Sequence, residues 1–207
     1  MISVDALSPL ASALRARVNE LAARSRLPTT LAQSGRWQGA WETASPALRK
    51  RILWHCLGLD RVRMTAEIAA NVDIAVLPRH SLQHLLLLRA LYARTAALCR
   101  CVHRAPRQWF IQQLGESGWE WIVSRYAPPT VETLLPIGDE HLQRWYEDGW
   151  QRLYLDRIWP CQALAHLAAN VANVRPRQSL EAICIDQRSQ AFLAEWRVLA
   201  ARCVEAA

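Results

Sequence analysis

Apolar residues recur along this chain at helical spacing, and almost nowhere do they alternate as a half-buried strand requires. Leu10, Leu14, Val18 and Leu21 form a first seam, preceded by the start signal Ser8–Pro9 and followed by a stop at Pro28. Ser45 and Pro46 repeat the start signal, and the pattern through Ile52, Leu53 and Cys56 ends at Gly58. Between them, residues 29–44 hold Gly35, Gly39 and the Trp37/Trp41 pair and read as a loop or one short helical turn. Residues 64–72 fit a short helix, and 73–78 (DIAVLP) an extended connector.

The densest apolar run follows Pro78 and Ser81. Wound as one long helix as far as Pro106, it places Leu87, Leu88, Leu91, Leu98, Cys99 and Val102 on one side. Arg89, Arg100 and Arg104 fall together on the opposite side, and Arg107 joins them if the winding survives Pro106. Leu82, Leu85 and Leu86 make the amino-terminal half apolar all round, so that half is expected to be buried. The other half is expected to offer a single-sign charged stripe to something outside, because residues 77–115 contain no acidic side chain.

Beyond it, residues 106–114 and 117–126 read as two shorter helices separated by Gly115. Pro128–Pro129 opens a break that extends to Gly138; if the single helical domain, residues 1–207, divides into two closely packed lobes, it does so at 127–138. Asp139 is expected to cap a helix reaching Leu155, and Trp159–Pro160 to open another reaching Ala172. Residues 173–186 form a polar connector ending in the apolar patch AICI, which reads as a brief strand or a turn, and a last helix over 187–204 puts Phe192, Trp196, Leu199 and Cys203 on one face. The pattern predicts an all-α fold, an irregular multi-helix bundle and not a coiled coil, since no heptad persists.

Composition changes this picture in two ways. The net charge of +7 is carried almost wholly by arginine, with Lys50 the one lysine, which favours carboxylates, phosphates or aromatic faces as partners. Residues 132–156 hold Glu132, Asp139, Glu140, Glu147, Asp148 and Asp156, so an acidic sector accompanies the basic one. Ten tryptophans exceed what a core of this size requires, and surplus tryptophan is characteristic of protein interfaces. No uncharged apolar run is long enough to span a membrane: Arg89 interrupts the best one. The first residues lack the basic leader of a secretory signal. The six cysteines sit in apolar helical surroundings and read as reduced thiols serving as small core hydrophobes.

Candidate chemistry is sparse. His80 and His84 stand at the four-residue spacing at which two imidazoles share a metal, but no third ligand accompanies them. Cys99 and Cys101 fall on different helix faces and cannot chelate together. Asp139, Glu140 and His141 read as a helix start rather than an acid–base site. With no nucleophile elbow, phosphate cradle or dinucleotide fingerprint, the sequence assigns no catalytic residue, cofactor or metal, and a non-enzymatic protein is expected. Nucleic acid is the rival partner, since Arg89, Arg100, Arg104 and Arg107 lie near Trp109 and Phe110, yet no helix-turn-helix pattern leads into a recognition helix. A small secretion chaperone is a second alternative.

Two blocks carry a family resemblance. The run LP…LLLLRALYARTAALCRCVHRAP…LG (residues 77–115) resembles the central segment of the SctK-type proteins of bacterial type III secretion systems, the YscK, OrgA and MxiK group and especially its Hrp branch. DGWQRLYLDRIWPCQALAHLA (residues 148–168) is similar to that family's carboxy-terminal segment, in which an aromatic helix meets a Trp-Pro turn and a further apolar helix. The resemblance implies a helical adaptor of the sorting platform, cytoplasmic and peripheral to the inner membrane. Its implied partners are the forkhead-associated-like cytosolic domain of the inner-membrane ring protein and the SctQ-type platform protein, and through the latter the stator and the ATPase. From the residues themselves, Arg89, Arg100, Arg104 and Arg107 are expected to form one protein-binding face, and Trp150, Tyr154 and Trp159 the aromatic anchors of a second.

Overall fold

A computed structural model describes residues 4–24, 26–32, 37–59, 71–101, 103–125, 132–175 and 187–205. Every regular element among them is a helix, so the all-α class read from the pattern holds. The chain divides into two compact units, Met1–Leu82 with Trp159–Pro176, and Gln83–Ile158 with Arg177–Ala207. Residues 132–138 of the proline-rich break lie within the second unit, and 127–131 lie outside the described residues.

The first unit is built on α1 (Val4–Ala23), the short helices α2 (Thr29–Ala32) and α3 (Gln38–Thr43), α4 (Pro46–Cys56), the single turn α5 (Val72–Ala75) and, from the returning segment, α10 (Gln162–Ala172). Helix α1 packs on α4 through the expected seam: Leu14, Val18 and Leu21 are buried with Ile52, Leu53 and Trp41. Helix α10, rich in alanine, is buried over most of its length and packs against α1, α2 and α5. Its end is closed by Asn173 in the left-handed region (φ 61°). The Val174 amide then donates back to the Ala169 carbonyl at 2.9 Å while the Val174 side chain is buried, which is a Schellman closure. Arg24 adds a second closure, donating to the Asn170 carbonyl at 3.0 Å while Glu20 holds its guanidinium at 3.0 Å. Arg49 ties α4 back in the same way, with bonds to the carbonyls of Trp41 (2.9 Å) and Arg24 (3.2 Å).

The second unit contains most of α6 (Arg79–Tyr92), then α7 (Thr95–Cys99), α8 (Arg104–Val123), a 3₁₀ turn over Asp139–His141, α9 (Leu142–Leu155) and α11 (Ser189–Glu205). Leu85 to Leu88 are all buried. Gly149 of α9 lies so close to α6 that a Cβ there would overlap the Leu86 carbonyl oxygen, so only glycine permits this approach. Aromatic rings fill the rest: Phe110 meets Trp145 edge-on at 5.8 Å and Trp119 in a stack at 6.0 Å, while Phe192 of α11 contacts Tyr92 at 5.3 Å.

Several expectations are corrected. The long helix breaks after Tyr92: Ala93 and Arg94 form a turn, α7 is short, and α8 starts anew at Arg104. Arg94 causes the break, because its side chain is drawn inward to acceptors described below and its backbone leaves helical geometry (φ −114°, ψ 19°). Pro106 lies in the first turn of α8, where no backbone donor is needed. Gly115 does interrupt α8, at φ 72°. Helix α1 starts upstream of Ser8, and Pro9 sits inside it. Part of 73–78 is helical in α5 and not extended, and 29–44 holds two short helices. Asp139 does not cap α9; its carboxylate accepts from the Trp109 indole at 2.9 Å and the Gln113 amide at 3.1 Å. Free Cys56, Cys101 and Cys161 are half-buried and Cys99 is exposed, so none of these four thiols is a true core hydrophobe. The expected helix at 64–72 falls mostly outside the described residues, and Cys184 lies outside them.

Candidate functional site

Of the four arginines assigned to one stripe, the structure leaves three exposed and buries the fourth. Arg100 closes α7, Arg104 opens α8, and Arg107 stands one turn further on, with its guanidinium 5.9 Å from the centre of the Trp119 ring. All three are exposed. Arg89 is 0% exposed. Its Nε donates to Ser189 Oγ at 2.7 Å and its Nη2 to Asp156 Oδ2 at 3.3 Å. The same Asp156 oxygen accepts the Ser189 amide at 2.9 Å, so one carboxylate neutralises Arg89 and begins α11. Leu82, Leu85 and Leu86 lie one and two turns earlier on Arg89's own face, which was the available signal for burial.

The aromatic trio is also divided. Trp150 is 2% exposed and stacks at 4.9 Å on Tyr154, which is 39% exposed and presents that stack to solvent. Trp159 belongs to the first unit, is 7% exposed, and its buried indole N–H has no acceptor among the described residues. Tyr154 is thus the one of the three suited to direct contact.

Sequence reasoning missed the ion network that holds the second unit. Arg94 grips Asp148 with two bonds, 2.7 and 2.9 Å, and also donates to the carbonyls of Thr133 (3.0 Å) and Ala90 (2.9 Å). Arg152 Nε donates to the same Asp148 at 2.8 Å, and its Nη2 bonds Glu132, which lies 3.4 Å from Arg94. Burial alone would raise the Asp148 pKa, but the hydrogen bonds and charges of Arg94 and Arg152 outweigh it and hold the carboxyl below its usual value. Arg152 is raised in turn: burial opposes its charge, and Asp148 and Glu132 more than compensate. Asp148 and Arg152, four apart on a helix, were a legible pair; Arg94, fifty-four positions away in sequence from Asp148, gave no local signal.

Among the described residues, the first unit carries two concavities lined as follows. One, of about 320 Å³, is lined by Arg15, Lys50, Arg51, Trp54 and His55. The other, of about 340 Å³, is polar and lined by Arg24, Arg26, Leu27, Pro28, Arg79, Asn170 and Asn173. Among the described residues no three His, Cys, Asp or Glu side chains are grouped to hold a metal; His80 is exposed against Ser81, and burial pushes His166 below its ordinary pKa. No described helix is long and apolar enough to cross a membrane.

Fold and surface together define an all-α protein with a salt-bridged interior, exposed arginines and an aromatic surface step. The chain belongs to the HrpB4 family of bacterial type III secretion proteins, whose family model matches residues 3–194. The type III secretion assignment implied by the two sequence blocks therefore stands at the level of the family. No curated protein and no solved structure matches the chain.

Proposed function

We propose that this protein is a non-enzymatic adaptor of the SctK type. In this reading it works on the cytoplasmic side of the inner membrane and links the forkhead-associated-like domain of the ring protein to the SctQ-type platform protein. Stator and ATPase connect through the latter. The observation that carries the reading is the family match over residues 3–194, which fits the two-block resemblance at 77–115 and 148–168. The exposed Arg100, Arg104 and Arg107, and separately the exposed Tyr154, supply surfaces of the kind a linker uses.

The test is a binding assay with the purified full-length chain against each partner separately. Saturable binding of both the ring protein's cytosolic domain and the SctQ-type protein is expected, at fixed stoichiometry and near-physiological salt. A folded sample that binds neither overturns the reading. Tight association with unrelated nucleic acids, falling steeply with salt, would replace it by the nucleic-acid alternative. Copurification with secreted substrates would replace it by a chaperone.

A further inference from the structure

The groove beside α4 has an unusual construction. The stretch LRKRILWHC (residues 48–56) contains no acidic residue, and winding it as a helix directs Ile52 and Leu53 inward and Trp54 away from them. An outward tryptophan on a surface helix would normally be well exposed, yet Trp54 is half-buried. Lys50 and Arg51 stand four and three positions before it and His55 directly after it, with Arg15 reaching in from α1. Together they line an open concavity of about 320 Å³. Its lining is almost wholly apolar, as the indole and the aliphatic stems of the long cations supply it. Arg15, Lys50 and Arg51 have no carboxylate partner among the described residues. By contrast, Arg17 and Arg24 share Glu20. Leu48, 48% exposed, precedes Arg51 and His55 by one and two turns and extends the apolar strip along α4.

We infer that this groove is a docking site for an acidic, amphipathic segment of a partner protein, which places one leucine- or phenylalanine-sized side chain over Trp54 while flanking carboxylates meet Arg15, Lys50 and Arg51. The charge decides the sign of the partner. The concavity decides its class: an apolar hollow flanked by Arg15, Lys50 and Arg51 accepts a protruding side chain, whereas a lipid surface calls for apolar groups that protrude from the protein. Base stacking calls for an exposed aromatic face, and this one is half-covered. The inference does not depend on which component of the secretion apparatus supplies the segment.

The experiment uses the full chain and a fluorescent synthetic peptide with glutamates flanking a leucine–phenylalanine stripe at helical spacing, read by anisotropy. Saturable binding is expected, weakened roughly tenfold or more by the combined charge reversal Lys50→Glu and Arg51→Glu. Both side chains are exposed, so that variant should keep the wild-type circular dichroism and melting temperature. A glutamate peptide lacking the apolar stripe should bind at least roughly tenfold more weakly to the wild type. The inference is overturned if the amphipathic peptide does not bind, if charge reversal leaves its affinity unchanged, or if the purely acidic peptide binds equally well. It is also overturned if phosphatidylglycerol vesicles or a single-stranded oligonucleotide, and not the peptide, bind in a Lys50- and Arg51-dependent manner.

Discussion

At the scale of single residues, the interior of the second unit rests on charge, and Asp148 is its centre. It accepts both arms of Arg94 and the Nε of Arg152, so removing its charge leaves two buried guanidiniums short of compensation. Breaking a buried pair in this way costs about 3–5 kcal/mol, far more than the net worth of the intact pair. Asp148→Asn is therefore expected to lower stability by about that amount, read as a shift in the urea midpoint near neutral pH. The pH dependence follows from the direction of the shift. A carboxyl held below its unfolded value contributes its full stabilisation above the ordinary carboxylate range, and that contribution is lost as pH falls through the lower, folded value. The wild type should lose stability below about pH 4, and Asp148→Asn should show a shallower acid limb. Equal acid limbs in the two proteins would mean that Asp148 is not the group that titrates.

At the scale of elements, most helices were legible because their boundaries are written locally. Ser45 accepts the Leu48 amide at 3.3 Å with Pro46 behind it, and Asn173 and Gly115 stand where the backbone turns left-handed. What was not legible is the break at Ala93–Arg94. The residues there are good helix formers, and the helix ends because Arg94 finds better partners in Thr133 and Asp148, a contact that no local pattern encodes. The same holds for Gly149, which a sequence reads as a weak point in α9 and the fold uses for close approach to Leu86. Gly149→Ala would gain helix propensity of about 1 kcal/mol, yet the new methyl meets a backbone carbonyl that cannot rotate away. The overlap is expected to dominate, for a net loss at or above the top of the about 1–3 kcal/mol usual for overpacking. A thermal melt decides the sign: a stabilised variant would show that α6 and α9 stand further apart than described.

At the scale of the whole molecule, the sequence shows an excess of arginine but not where that excess ends up. Arg89, Arg94 and Arg152 are spent internally on Asp156, Asp148 and Glu132, whereas Arg100, Arg104 and Arg107 remain at the surface. Periodicity treated Arg89 as a member of the surface set by weighing it against Leu87, Leu88 and Leu91 and not against Leu82, Leu85 and Leu86 on its own face, and the error has a measurable consequence. If the three exposed arginines form a contact face, replacing them together by glutamate should abolish partner binding while stability changes by no more than about 1 kcal/mol, the Arg107–Trp119 contact included. Arg89→Glu should behave in the opposite way. It sets a second carboxylate against Asp156 in a site closed to water, so about 3–5 kcal/mol of stability should be lost, and any loss of binding should track unfolding. Parallel melts and binding isotherms on the two variants separate these outcomes. A stable, fully folded Arg89→Glu protein that fails only in binding would return Arg89 to the surface set and contradict its burial against Asp156 and Ser189.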